Sequence, residues 1–351
     1  MIYAGLDLHK KFSVITAMNS EGKELIKQRK FPNNGEIVEL FQGLGESVEV
    51  AVEATRSWYW LYDLLEANGI EVKLSHPFKT KAIASARIKN DKIDSKVLAH
   101  LLRADLLPLS YVPETHIRMQ RELLRYRASL VRIQTGIKNR VHAILAKNNV
   151  NHEFSDLFGK QGMTFLQALS LPEMQRVALD GYLSVLEVIG KQIKAANKRI
   201  TALANEDEGA MLLTTIPGVG YYSALLIQSE IGDISRFPSA KQLCSFAGII
   251  PSTYASGDKI FHGHIIKQGS KWLRWILTEA VEHCVKKPGH LGRFYYRMER
   301  RKGKKIAKVA TERKLLQWIY HMLKETRTFH EMEKIAESWG EPVVLSGHKD
   351  R

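Results

Sequence analysis

Two cysteines, Cys244 and Cys284, are all that 351 residues contain, and no CxxC pair occurs. A disulfide framework is excluded, and a reducing cytoplasmic compartment is expected. No apolar run reaches the roughly 18 residues that a membrane-spanning helix needs, and the N-terminus shows no charged-then-apolar signal. A soluble intracellular protein follows as the expectation. Acid is the scarce charge: 37 Asp and Glu stand against 52 Lys and Arg, a formal net charge of +15. Such an excess favours a polyphosphate partner, because cationic side chains displace the counterions condensed on it. The length leaves room for about two or three domains, each with its own core.

Against that basic background four carboxylates stand out. They are Asp7 in GLDLHK, Glu53 in VEVAVEA, and Asp91 and Asp94 in KNDKIDSKVLAHLL. The first two fall at the ends of short apolar strands, where a carboxylate is costly unless something positive neutralises it. The last two are three apart at the start of a helix and so share a face. Their stripe continues to Leu98 and Leu101, the side expected to face the core, while Lys92, Lys96 and Arg103 lie opposite. Hard oxygen donors from several elements that converge on one point are what a divalent ion working beside phosphate requires.

The first hundred residues read as strand (2–7), strand (FSVITAMN), strand (KELIKQRKF), helix (GEIVELFQGLG), strand (VEVAVEA), helix (SWYWLYDLLEANG, its Gly a C-cap), strand (IEVKLS) and two helices (HPFKTKAIASARI and DKIDSKVLAHLLRAD). Three strands followed by alternating helix and strand predict a mixed α/β sheet. From Glu114 to Asn149 there is no Pro and only Gly136. Met119, Leu123, Tyr126, Leu130, Ile133, Ile137 and Ile144 recur there as in a coiled-coil seam, which also suggests self-association. Arg118, Arg121, Arg125, Arg132 and Arg140 lie between them and are candidates for tracking nucleic acid. A second helical stretch, from about Tyr182 to Asn205, is expected to pack back as an antiparallel hairpin.

The C-terminal part is helical, with interruptions. LLTTIPGVGYYSALLI has the pattern helix, turn, helix, and Gly218 and Gly220 allow backbone N–H groups to face a phosphate at a helix start. AGIIPSTYASG reads as a loop with Ser256 before a glycine; Ser252, directly after Pro251, is a weaker nucleophile candidate. His262, His264, Lys267 and Lys271 follow. A serine nucleophile needs exposure, a permissive backbone and cations for the phosphate that it attacks. A dense basic stretch runs from Lys286 to Lys314 and includes Arg300, Arg301, Lys304 and Lys305. The expected domains are 1–110, 111–206 and 207–335, with a polar tail over 336–351.

The order of acids, on a first strand, on a middle strand and twice on a late helix, resembles the RNase-H-like fold of the junction resolvase RuvC over about residues 1–106. GLDLHK, VEATRSWYW and KNDKIDSKVLAHLL, followed by TTIPGVG, FAGIIPSTYASG and HIIKQGSKWLRW, resemble the DEDD transposases of the insertion-sequence one-ten family across nearly the whole chain. That resemblance implies a RuvC-like DEDD domain, a helical coiled-coil hairpin and a mainly helical C-terminal transposase domain. It implies Mg²⁺ on Asp7, Glu53, Asp91 and Asp94, and Ser256 as the nucleophile that forms a phosphoserine link to DNA. Further implied are donor and target DNA, a bridge RNA that pairs with both, and a homo-oligomer, dimer or tetramer, in which the carboxylates of one subunit complete the site around the serine of another. The expected setting is the bacterial cytoplasm, at the nucleoid. His262 and His264 receive no role. The residues alone also admit a junction-type nuclease that uses water in place of Ser256.

Overall fold

A computed structural model describes residues 1–55, 57–83, 91–256 and 259–338. Compactness divides the chain once, into Met1–Pro113 and Glu114–Arg351.

The first unit is built on a five-stranded sheet of β1 (Ile2–Leu8), β2 (Phe12–Asn19), β3 (Glu24–Pro32), β4 (Val48–Glu53) and β5 (Glu71–Ser75), in the order β3-β2-β1-β4-β5. The first three strands form an antiparallel meander, whereas β1–β4 and β4–β5 are parallel. Alternation along the strands sorts side chains to two faces. On one face Ala4, Leu6, Ile15, Val50 and Val52 bury against α1 (Glu36–Gln42) and α2 (Trp58–Ala67), meeting Ile37, Phe41, Leu61 and Leu65. After β5 come α3 (Pro77–Ile83) and α4 (Asp91–Arg103). On the opposite face Tyr3 and Ala51 meet Leu98 and Leu102 of α4.

The packed stripe of α4 differs from the one expected. Ser95, Leu98, Ala99 and Leu102 are buried, while Asp94 and Leu101 are half-buried at its border. The reason is Gly5. A β-carbon there would lie 2.0 Å from the Ser95 carbonyl oxygen and 2.5 Å from the Ala99 nitrogen, so the helix backbone rests directly on β1. The Ser95 and Thr16 hydroxyls, 2.9 Å apart and buried, fasten the same turn to β2.

The second unit is helical. α5 (Thr115–Lys147) and α7 (Glu173–Asn205) lie side by side, with α6 (Lys160–Ala168) between them in sequence. Ile137, Val141, Leu145, Leu157, Leu166, Leu179, Leu183, Leu186 and Ile189 make a core of their own at one end of this hairpin. At the other end Leu124, Ile200 and Ala204 join the main core. The seam on α5 is also corrected. Leu124, Ala128, Ile137, Val141 and Leu145 are buried, whereas Met119, Tyr126 and Ile133 are exposed. The expected row was chosen by spacing alone, and the buried stripe is set by α7 together with α9 (Tyr221–Ile231), which both pack on α5.

The main core gathers α8 (Glu208–Leu213), α9, α10 (Ala240–Ala247), α11 (Lys271–Cys284), α12 (His290–Lys302), α13 (Lys304–Glu325) and α14 (Phe329–Ser338). Helix α14 carries two residues past the start of the expected tail. The segment expected as a loop around Ser256 is an antiparallel hairpin of β6 (Pro251–Ser256) and β7 (Lys259–Ile265). Thr253 and Tyr254 on one strand and Ile260 and Phe261 on the other are the residue types that favour a pleated ribbon. Among the described residues no helix is long and apolar enough to cross a membrane.

Candidate active site

The parallel pairing of β1 with β4 sets Gly5 opposite Ala51 and Leu6 opposite Val52. Continued by one residue, the register places Asp7 beside Glu53, both at the carboxyl ends of adjacent parallel strands. Their parity puts them on the face with Gly5 and Ala51, which is the face that α4 covers. The direction of α4 follows from its far end: Arg103 donates to the Ser20 carbonyl at 3.1 Å and lies over Gly22, in the turn after β2. That turn adjoins Ile2, the start of β1, since Ile2 pairs with Asn19. Helix α4 therefore runs antiparallel to β1, and its first turn, with Asp91 and Asp94, sits at the strand end that carries Asp7 and Glu53. Carboxyl ends of parallel strands are where open α/β sheets place their ligands.

Asp7 is one-sixth exposed, and its Oδ2 lies 3.1 Å from Nε2 of His9. His9 in turn packs against Phe12, ring centroids 4.7 Å apart. His9 went unnoticed in the sequence, although the two-residue step from Asp7 put it on the same face. Ala54 N donates to the Ser75 carbonyl at 3.0 Å, which ties the chain just after Glu53 to β5. Among the described residues no three His, Cys, Asp or Glu side chains come close enough to share an ion. The side chain of Asp91 lies outside the described residues, as do those of Ser256 and His262. The acids at this strand end offer carboxylate oxygens, hard ligands suited to a hard divalent cation.

In the second unit Ser256 ends β6, paired across the hairpin with Lys259. The base of the hairpin is locked. Ile266 N donates to Ile250 O at 3.0 Å and Lys267 N to Gly248 O at 3.1 Å. Gly248 (φ +71°) turns the chain out of α10 where a β-carbon would strike the Gln268 backbone at 2.8 Å. Next to this base, Ser270 accepts from Leu273 N to cap α11 and donates to Oε2 of Glu230 at 2.7 Å. Glu230 is 3% exposed, and its other oxygen accepts from Arg125 at 2.7 Å. A carboxylate inside the apolar run SALLIQSEI was the available signal for this group.

Those contacts revise the expectation for the basic helix. Arg121 donates to the carbonyls of Ser229 and Glu230, Arg125 to Glu230, and buried Arg118 to Thr115. Their guanidinium groups are used inside the protein. Arg132 and Arg140 are exposed, as are His264, Lys267, Lys271, Arg300, Arg301, Lys304 and Lys305. At the expected phosphate turn, Gly218 (φ +82°) is pressed on His283 and serves packing, whereas Gly220 opens α9 with nothing within 4 Å of its β-position.

Two family models match the chain. The first, for DEDD transposases of the IS110 type, is described as a transposase and covers residues 4–149; the second, described as the transposase IS116/IS110/IS902 family, covers 210–297. The transposase for insertion sequence element IS1111A of Coxiella burnetii is 25% identical over 344 residues, 93% of this chain and 90% of its own. A probable family 20 transposase of Pseudomonas aeruginosa is 25% identical over 337 residues, 91% and 96% of the two chains. The transposase for IS1328 of Yersinia enterocolitica is 25% identical over 280 residues, 79% and 82%. An acid-bearing α/β sheet joined to a helical unit, with these relatives along nearly its full length, defines a DNA transposase. The chain belongs to the IS110 family of insertion-sequence transposases, the group anticipated from its motifs.

Proposed function

We propose that the chain cuts and rejoins DNA through a phosphoserine on Ser256, with Mg²⁺ on Asp7, Glu53, Asp91 and Asp94, under the direction of a bridge RNA that pairs with donor and target DNA. The observation that carries this is the convergence of the first turn of α4 with the carboxyl ends of β1 and β4, on one face of the sheet. An RNase-H-like fold for this unit agrees with the same placement of acids. Bound there, the ion would supply Lewis-acid stabilisation of the charge that builds on a phosphodiester.

The protein's own groups would do the rest. His9 orients the Asp7 carboxylate. Ser256 Oγ attacks phosphorus, the bond from phosphorus to one neighbouring sugar oxygen breaks, and that oxygen takes up a proton while the serine gives one up. The phosphate ester then keeps the bond energy for rejoining, and attack by a hydroxyl of the new strand frees the serine. Arg132, Arg140, Lys267, Lys271, Arg300, Arg301, Lys304 and Lys305 hold sugar-phosphate backbones, with Gly220 N–H a further donor, while base pairing with RNA selects sequence. Function then divides the chain into a carboxylate domain, a hairpin and a serine domain, acting as a dimer or tetramer.

The test is strand exchange on element-end DNA with bridge RNA and Mg²⁺, followed by denaturing gels. Wild-type protein should leave a covalent protein–DNA adduct. Ser256→Ala should abolish both adduct and exchange, and Asp7→Ala should abolish exchange. Cleavage by Ser256→Ala at the wild-type rate, with no adduct, would make the enzyme a water-using nuclease.

A further inference from the structure

The basic stretch from Lys286 onward is not spread evenly over the surface. A cavity of about 610 Å³ opens where the end of α11 turns into α12, and among the described residues no acidic side chain lines it. Lys286 and Lys287 border it from the turn, and Arg293, Tyr296, Arg297 and Arg300 line it from α12. Positions 293, 296, 297 and 300 share one helix face. The volume lies in the range of small-ligand sites and accommodates one nucleotide.

Two features give the cavity its chemistry. Tyr296 is 49% exposed, yet its ring is braced edge-on by buried Tyr295, centroids 5.3 Å apart. A large aromatic face is thus presented to solvent beside the arginines. Two nearby carboxylates are already engaged. Glu333 is used at the start of α12, where it accepts from His290 N at 2.6 Å. Arg293 meets Glu337 at 3.1 Å, but both side chains are more than half exposed, so a phosphate can replace that carboxylate. Behind the face, burial and the charge of Arg297 push Lys314 down to about 8. His290 is pushed down by burial and by Lys314, Arg293 and Arg297. The surroundings favour the arrival of an anion.

We propose that this cavity binds one unpaired nucleotide of a single-stranded nucleic acid, its phosphates on Arg293, Arg297 and Arg300 and its base stacked on Tyr296. A duplex keeps its bases inside the stack and offers Tyr296 no face. The inference rests on the proposed function only for the presence of a nucleic-acid partner, and it is tested by binding alone.

The experiment uses full-length Ser256→Ala protein, so that no strand is cut, and fluorescently labelled oligo-dT, oligo-U and a blunt duplex of matched length. Tyr296→Ala should weaken binding to the single strands about tenfold and leave duplex binding unchanged, while Tyr296→Phe, which keeps the ring, restores it. Arg300→Ala, in the exposed last turn, should lower the slope of log affinity against log salt by about 0.7 for single strands. Tighter oligo-U than oligo-dT would assign the site to RNA, and the reverse to a displaced DNA strand; either supports it. Full single-strand affinity in Tyr296→Ala, or equal loss on the duplex, overturns the proposal. Loss of covalent adduct elsewhere in the enzyme leaves this result untouched, so the two failures are distinguishable.

Discussion

The carbonyl oxygen of Ser95 stands 2.0 Å from where a β-carbon on Gly5 would be. No side-chain rotation relieves that contact, because both partners are backbone. Gly5→Ala must lift α4 off β1, and with it the turn that carries Asp94. We expect a loss of about 1–3 kcal/mol of stability from overpacking. Strand-exchange activity should fall further than stability explains, because the acids are displaced. Ser95→Ala leaves the buried Thr16 hydroxyl without its 2.9 Å partner and should cost about 1–3 kcal/mol with less effect on exchange. Urea denaturation alongside the exchange assay separates the two. A Gly5→Ala protein with wild-type values for both would show that α4 does not owe its position to this contact.

The arginines of α5 should divide into two groups. Arg125 serves buried Glu230, which also holds the Ser270 cap of α11. Glu230→Ala should cost about 1–3 kcal/mol, since it strands those donors. Arg125→Ala should lower stability and barely change the salt dependence of DNA binding. Arg132→Ala and Arg140→Ala, on exposed positions, should leave stability alone and each reduce the salt slope by about 0.9 on duplex DNA. Binding titrations across salt concentrations, paired with thermal melts, check this. A change in slope for Arg125→Ala equal to that for Arg132→Ala would put its guanidinium on DNA.

Much of this arrangement could be read from the chain alone, for identifiable reasons. The sheet was legible because β-branched runs such as VEVAVE and FSVITAMN alternate with clear turns, and local signals sufficed. The joining of Asp7 to Glu53 was legible as chemistry, because carboxylates at apolar strand ends need a common purpose. The seam of α5 was misjudged because a helix with two neighbours buries a stripe that spacing cannot choose. Met119 and Ile133 fit a heptad and are exposed, while Val141 and Leu145 are buried. The roles of Arg121 and Arg125 depend on Ser229 and Glu230, more than a hundred residues away, which periodicity does not see. The strands around Ser256 were hidden by small polar residues that resemble a loop.

Both cysteines should be inert in the folded protein. Burial pushes the Cys244 thiol up to about 11 and Cys284 up to about 12, so almost no thiolate is present near neutrality. Cys284 also donates to the Pro217 carbonyl at 3.3 Å. Iodoacetamide at about pH 8 should modify neither in native protein and both in denaturant. Mass spectrometry gives the count. Rapid native alkylation of Cys284 would mean that the packing of α11 on the turn at Pro217 opens readily.

Lys314 should make stability depend on pH in a direction opposite to an ordinary ion pair. Burial and the nearby Arg297 hold its pKa near about 8, well under the usual 10.5. Between those values the unfolded chain binds a proton that the folded protein does not, so stability rises with pH across that window and the full penalty is present below about 8. Lys314→Met keeps an unbranched apolar side chain and removes the ammonium, which lies 4.6 Å over the Phe294 ring. It should therefore melt higher than wild type near pH 7, and the gap should close as pH approaches about 10. Taking the difference between the two proteins cancels the thiols, whose raised values act in the same alkaline range. An anion in the neighbouring cavity should shrink the gap as well, by offsetting the cost of the buried lysine charge in the folded state. A constant difference in melting temperature at all pH values would mean that Lys314 is solvated well enough to titrate normally.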